Sequence, residues 1–321
     1  MRLVAPAVLA IMTLVSVACS SAPAAPTPST AAPAASPVAS PTAATRVAST
    51  FPLTIKDDAG RDVTIPKPPQ RIVSLSSSNT EILFALGLES RVMGVDRYSD
   101  YPPSAKTKPT VGDFANPDLE KIVALEPDLI LGTPIHVKTT LPELDRRGLK
   151  TVIIGPKTVS GVLNSIRLVA RITGQQKEAD AVVSGMQAKI DSVEAAVRGT
   201  TPVRVFYEIS PDLFTAGPGT FVNDVLKMAG GVNIAASAGT DWPQLNQESL
   251  ILADPQVILL ADQPADVTPE MVEARPGWGD VSAVKNKRIL AVNGDLTSRP
   301  GPRVVDGLEF VAKALHPDRM K

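Results

Sequence analysis

A single cysteine, Cys19, stands in a chain of 321 residues, which excludes an intramolecular disulfide and any multi-cysteine metal site. Histidine is almost as scarce. His136 and His316 are the only two, whereas a carrier of bare zinc or manganese ions normally needs several imidazoles beside its carboxylates. A charge surplus is missing as well: 32 basic residues face 33 acidic ones, with no Lys/Arg-rich tract. Nucleic acid and anionic membrane surfaces are therefore not expected as primary partners. Catalytic signatures are also absent, since the chain carries no nucleophile-elbow or zinc-helix motif and two histidines leave few candidates for a Ser-His-Asp arrangement. Gly217-Pro218-Gly219-Thr220 echoes a dinucleotide loop but lacks its third glycine. The expectation is a binding protein with no resident cofactor or metal. A secreted enzyme and a ligand-sensing receptor are the rival classes.

What is present begins with an address. Arg2 precedes an uncharged apolar run from Leu3 to Ala18, the pattern of a secretory signal peptide over residues 1–18. The run is interrupted by Pro6 and is shorter than the roughly eighteen apolar residues of a membrane span. Cys19 follows Ser16-Val17-Ala18 and resembles the lipid-modified cysteine of a bacterial lipoprotein, although Ser16 stands where that pattern favours leucine. Residues 19–50 are almost wholly Ala, Pro, Ser and Thr, a composition that cannot build a core and reads as an extended tether. An extracytoplasmic protein held to a membrane only by lipid is expected, with plain secretion as the alternative.

About 270 residues remain, enough for two lobes with developed cores. Leu53-Thr54-Ile55 and Val63-Thr64-Ile65 flank Asp57-Asp58-Ala59-Gly60 and read as a hairpin. Strand runs at 71–75, 92–95, 129–131 and 152–154 then alternate with helical pattern, which implies parallel sheets covered on both faces. Sliding the chain against itself exposes a repeat. Leu119–Leu131 matches Gln247–Leu259 at constant offset, placing Glu120 on Glu248 and Pro127 on Pro255, and Thr80–Gly87 matches Asn223–Gly230. Two similar α/β lobes follow, Rossmann-like with central parallel sheets: residues 51–174 and 200–321. Between them Ala179, Val182, Val183, Met186, Ile190, Val193 and Val197 recur at helical spacing, predicting one long connecting helix over 175–199 and only modest opening of the lobes.

The run Ile65-Pro66-Lys67-Pro68-Pro69-Gln70-Arg71-Ile72-Val73-Ser74-Leu75-Ser76-Ser77-Ser78-Asn79-Thr80-Glu81 and the later Leu125-Glu126-Pro127-Asp128-Leu129-Ile130 resemble the helical-backbone substrate-binding proteins that serve importers of vitamin B12, siderophores and haem. The resemblance spans Phe51 to the C-terminus. Tyr98-Ser99-Asp100-Tyr101-Pro102-Pro103 and Trp242-Pro243-Gln244 are most similar to the vitamin B12-binding branch. It implies an extracytoplasmic monomer that captures a corrinoid between its lobes and hands it to an ABC permease and ATPase complex, with haem or a ferric siderophore as the alternative ligand. By resemblance Tyr98, Phe114, Phe214 and Trp242 line the site, Asp295 and Arg299 meet the ligand's edge, and Glu120 and Glu248 dock on the permease. Phe114 stands where that branch has a tryptophan, and Gly132 where it has another. His136, in the loop after Gly132, is a candidate axial ligand to haem iron or corrinoid cobalt, with a solvated loop histidine as the alternative reading.

The residues agree independently with an aromatic site. The chain has only two tryptophans, three tyrosines and seven phenylalanines, yet Tyr98, Tyr101, Phe114, Phe214 and Trp242 all fall in expected loops, where ligands of open α/β sheets bind. One buried ring of ~150–250 Å² at ~25 cal/mol per Å² contributes up to ~4–6 kcal/mol. Three such rings offset the ordering costs and leave nanomolar affinity, about −12 kcal/mol.

Overall fold

A computed structural model describes residues 50–261 and 266–320; the signal peptide, Cys19 and nearly all of the tether lie outside the described residues. The hairpin forms as the alternation predicts. β1 (Leu53–Lys56) pairs antiparallel with β2 (Asp62–Ile65), burying Ile55, Val63 and Ile65 on one face. Thr54 and Thr64 meet on the other. The Asp57 carboxylate holds the turn, accepting the Ala59 and Arg61 N–H groups at 3.0 and 2.9 Å.

Two four-stranded parallel sheets follow. The first contains β3 (Ile72–Ser74), β4 (Val92–Val95), β5 (Leu129–Gly132) and β6 (Thr151–Ile153) in the order β4-β3-β5-β6. The second contains β7 (Val203–Glu208), β8 (Gly231–Asn233), β9 (Val257–Leu260) and β10 (Ile289–Ala291) in the order β8-β7-β9-β10. The orders coincide strand for strand. Helices coincide too: α1 (Ser77–Ala85) follows β3 as α7 (Phe221–Met228) follows β7, and α2 (Leu119–Ala124) precedes β5 as α8 (Gln247–Ala253) precedes β9. The remaining helices are α3 (His136–Thr139), α4 (Leu141–Arg146), α5 (Val159–Thr173), α6 (Gln176–Val197), α9 (Pro269–Glu273), α10 (Ser282–Lys285), α11 (Gly294–Ser298) and α12 (Val304–Leu315).

Strand alternation sorts the core into three parts. Ile72, Leu129 and Leu131 of the first sheet and Val205, Tyr207, Val257 and Leu259 of the second face a common core, which α5, α6 and α12 complete with Val162, Ile166, Val183, Met186, Ile190 and Leu308. The alternate residues face outward into separate layers: Val73 and Ile130 against Ile122 and Leu144 in the first lobe, Phe206, Ile258 and Leu260 against Leu250, Val272 and Trp278 in the second. Each such aliphatic side chain contributes about 1.5–3 kcal/mol over its exposed state. Helix α6 packs on α5 from one side and α12 from the other, so a single stiff element is gripped by both lobes.

Candidate ligand-binding cleft

In parallel sheets all strand carboxyl ends point the same way, so their loops converge on one edge. A cavity of about 520 Å³ lies there, within the usual range for small-molecule sites. The first lobe lines it with Ser76, Ser77 and Ser78 after β3, Asp96 and Tyr98 after β4, Thr133 to Ile135 after β5, and Ile154 to Lys157 after β6. The second contributes Gly219 to Phe221 at the start of α7, Asp241 and Trp242 after β8, and Ser298 to Pro300 after β10. Phe114, from the loop before α2, completes the wall. The N-termini of α1 and α7, equivalent in the repeat, both reach the cavity; Ser76 caps one through Asn79 N–H and Thr220 the other through Asn223 N–H, at 3.3 and 3.2 Å.

Three predicted aromatic residues meet here. Tyr98, Phe114 and Trp242 are 51%, 36% and 57% exposed, so they are not plugs of a local core but surfaces awaiting cover. Tyr98 and Phe114 come from one lobe and Trp242 from the other. Phe214 does not join them: it lies outside the cavity wall and pairs its backbone with Gln244. Its segment instead supports the Trp242 loop, Thr215 N–H donating to Pro243 O and Leu245 N–H to Leu213 O, both at 3.0 Å. Gly217 belongs to the same brace, because a Cβ there would lie 2.1 Å from Thr240 O. Of the glycines in the dinucleotide-like motif, Gly217 thus serves close backbone packing and Gly219 leaves room for the Asp241 carboxylate.

His136 departs from both sequence expectations. It is fully buried, not solvated, and neither ring nitrogen is free to reach a metal. Thr133 N–H donates to Nδ1 at 3.0 Å, which makes Nδ1 the acceptor, and Nε2–H donates to Phe114 O at 2.8 Å. Both nitrogens are thus engaged within the protein, which weighs against an axial role. The imidazole also stands edge-on to the Phe114 ring at 5.7 Å, so its task is to hold that loop against the end of β5. Burial keeps its pKa below the ordinary value, and the ring stays neutral. Gly132, the other departure noted in the sequence, lies buried in β5 with Ile153 and His136 packed around its Cα.

Asp295 does not line the cavity directly. It pairs with Arg299 at 2.8 Å, one helical turn away. Arg299 does reach the wall, and its guanidinium bridges to Asp100 of the other lobe at 2.6 Å. Next to it, Arg303 forks onto buried Glu81 at 3.0 and 2.6 Å and covers the Tyr101 ring at 3.9 Å. Burial pushes the Glu81 carboxyl up, and the Arg303 hydrogen bonds and charge oppose that rise. At the far end of the cleft Asp224 accepts Val159 N–H at 2.7 Å, and Lys157 faces Asp241 at 3.9 Å. Both ends of the cleft are thereby tied across the lobes.

The polar floor was not foreseen from the sequence. Asp96, nearly buried, accepts the Ser99 hydroxyl and the Tyr98 N–H, and Ser99 continues the chain to Thr80 and Ser74. Burial raises the Asp96 pKa, and the Ser99 and Tyr98 hydrogen bonds counter it. The usable signal was position, since Ser76 and Asp96 come directly after predicted strands and Ile154 ends one, whereas a search for rings passes over them. Glu120 and Glu248 occupy the exposed first turns of α2 and α8, away from the cavity wall. Among the described residues no His/Cys/Asp/Glu group suited to a metal ion is present, and no helix is long and apolar enough to cross a membrane.

Comparison with known proteins fits this architecture. The periplasmic binding protein family matches residues 72–296. The ABC transporter substrate-binding lipoprotein YvrC of Bacillus subtilis is 35% identical over 280 residues, covering 84% of this chain and 88% of its own length. A cobalamin-binding protein of Halobacterium salinarum is 31% identical over 279 residues, or 84% of this chain and 75% of its own. Among solved structures, the vitamin B12 binding protein BtuF of Vibrio cholerae superposes with a TM-score of 0.71 at 28% identity, covering 80% of this chain and 100% of that one. The heme-binding protein RhuT of Roseiflexus gives 0.70 at 30% identity, covering 78% and 99%. With its two-lobed α/β architecture shared by these structures and its sequence matched from the first parallel strand to α11, the chain belongs to the periplasmic binding protein family, whose members bind solutes and are not enzymes.

Proposed function

We propose that this protein is the extracytoplasmic substrate-binding component of an ABC importer and that its cleft takes a corrinoid. The observation that carries the ligand reading is a pair of opposed aromatic walls, Tyr98 and Phe114 against Trp242, whose nearby cations already have acidic partners. A broad, nearly neutral macrocycle covers such walls well. An anionic catecholate or hydroxamate complex needs unpaired cations that the described wall does not offer. Relatives named for cobalamin and vitamin B12 support the same reading. Haem is the second reading, supported by the RhuT likeness, and the engagement of both His136 nitrogens weighs against it.

Delivery follows from the repeat. Glu120 and Glu248 sit at equivalent helix starts of the two lobes, exposed to solvent, and form a pair of acidic contacts for arginines on a permease. A lipid on Cys19 keeps the monomer near that permease. The deciding experiment is titration of the purified protein with cyanocobalamin by tryptophan fluorescence and calorimetry, with haemin and a ferric hydroxamate alongside. Submicromolar one-to-one corrinoid binding is expected. Tight binding of haemin or the hydroxamate without corrinoid binding overturns the ligand assignment.

A further inference from the structure

The charges around the cleft reveal more about the ligand than the rings do. Arg299 is the wall cation that the two lobes share, and its side chain is only 17% exposed. One terminal nitrogen donates to Asp100 of the first lobe at 2.6 Å; the other pairs with Asp295 of the second at 2.8 Å. Two carboxylates thus engage both terminal nitrogens of one guanidinium, and the Glu81 carboxylate lies 3.8 Å from the first of them. Lys157, the second wall cation, lies opposite Asp241. Asp96 adds a further carboxyl to the wall, and no ion pair to it is found among the described residues. Asp100 itself is half-exposed; burial pushes its pKa up, but the Arg299 hydrogen bond and charge outweigh this and hold it below the ordinary value. It is ionised at neutral pH, so the bridge carries its full charge there.

A ligand edge that reaches Arg299 therefore meets a guanidinium whose fork is already occupied. A carboxylate there would have to compete with Asp100 and Asp295 and would face their charges at close range, whereas a neutral amide is spared that repulsion and can donate to the acidic oxygens. We propose that Asp100 is a specificity-determining residue: by holding Arg299 from across the cleft, it makes the site accept macrocycles with amide edges and reject those with carboxylate edges. The inference rests on the corrinoid reading for its natural ligand, but its chemistry can be tested apart from it.

The test uses ligand pairs that differ only in edge charge. Cyanocobalamin is compared with its monocarboxylate derivative, in which one edge amide is hydrolysed, and haemin dimethyl ester with haemin. In each pair the ratio of dissociation constants is the readout, because loosening of the lobes weakens both members alike and leaves the ratio unmoved. The wild type is expected to favour the neutral member by roughly tenfold or more, and Asp100→Asn to bring the ratio to about threefold or less. Asp295→Asn, which frees the same guanidinium without touching the bridge between lobes, moves the ratio in the same direction and serves if Asp100→Asn fails to fold. Asp62→Asn, on the β2 hairpin, leaves it unchanged. An unaltered ratio in folded Asp100→Asn, or in Asp295→Asn where Asp100→Asn does not fold, overturns the proposal. Wild-type protein that binds the haemin pair with the expected ratios but no corrinoid overturns the corrinoid reading alone, and binding of neither pair overturns both.

Discussion

Arg71 and Arg204 do the same work in the two lobes. Arg71, just before β3, donates to the carbonyls of Leu125 and Glu126 at the end of α2, the shortest contact being 2.6 Å. Arg204, in β7, donates to those of Ala253 and Asp254 at the end of α8, the shortest being 2.8 Å. Each closes a helix whose terminal carbonyls lack partners. Beside them Glu126 and Asp254 both adopt left-handed backbone, φ 45 and 43°, and each precedes a proline two residues ahead of the next strand. Asp128 and Gln256 then accept the backbone N–H of Arg71 and Arg204 at 2.9 and 3.0 Å. The lobes diverge where they line the cavity. The first supplies the hydroxyl and carboxyl floor with Tyr98 and Phe114; the second supplies Trp242 and Arg299. What repeats is the joint between helix and strand, and what differs is the loop at the opposite strand end. The same framework can hence present unlike walls.

The equivalence of the lobes can be broken most severely at the two glutamates proposed to dock. Glu120→Ala combined with Glu248→Ala is expected to abolish cellular uptake of labelled cyanocobalamin while calorimetric affinity stays at the wild-type value. Each single variant should retain partial uptake if the lobes dock alike, and surviving uptake in the double variant would move docking elsewhere. A smaller effect separates the two aromatic walls. Trp242→Ala should weaken cyanocobalamin binding by about 2–3 kcal/mol, and Phe114→Ala, a smaller and less exposed ring, by about 1 kcal/mol, with melting temperatures nearly unchanged because neither ring fills a core. Equal losses from both would mean that the ligand is centred between the lobes.

The smallest effect concerns a device seen in the first lobe, the buried His136. Its folded-state pKa lies below the ordinary 6.5, burial being the main cause. The unfolded chain therefore takes up a proton at a pH where the folded chain does not. The stabilising contribution is complete above 6.5 and is lost as pH falls below that value, with a slope of at most about 1.4 kcal/mol per pH unit. Urea unfolding at several pH values between about 7.5 and 5.5 should show this slope, and His136→Gln should flatten it. An identical slope in the variant would assign the effect to another group.

Much of the architecture was legible in the residues because it depends on local pattern. Buried strand runs, the Ser76 cap before α1 and the helical spacing from Ala179 to Val197 follow from side-chain periodicity and hydrogen-bonding geometry. Exposed aromatic residues were legible too, since Tyr98, Phe114 and Trp242 stand in loops after strands. The failures share a cause. Phe214, Asp295 and His136 lie in the right loops, but partners outside the periodic pattern decide what each one faces: the Phe214 backbone bridges to Gln244, the His136 ring donates to Phe114 O, and the Asp295 carboxylate pairs with Arg299 four residues on. The Asp100 bridge to Arg299 joins residues 199 positions apart, beyond any local rule.

The sequence by itself determined that the chain carries an export leader pattern, an internal repeat and two α/β lobes, because composition and periodicity act over a few neighbouring residues and need no partner to be read. Only the tertiary structure decided which loops share a cavity, which aromatic residues face it and which cations remain free. Those outcomes are set by long-range pairing of burial and charge: a guanidinium held by two carboxylates differs from a free one in what it can bind, and nothing in its own neighbourhood of sequence records the difference.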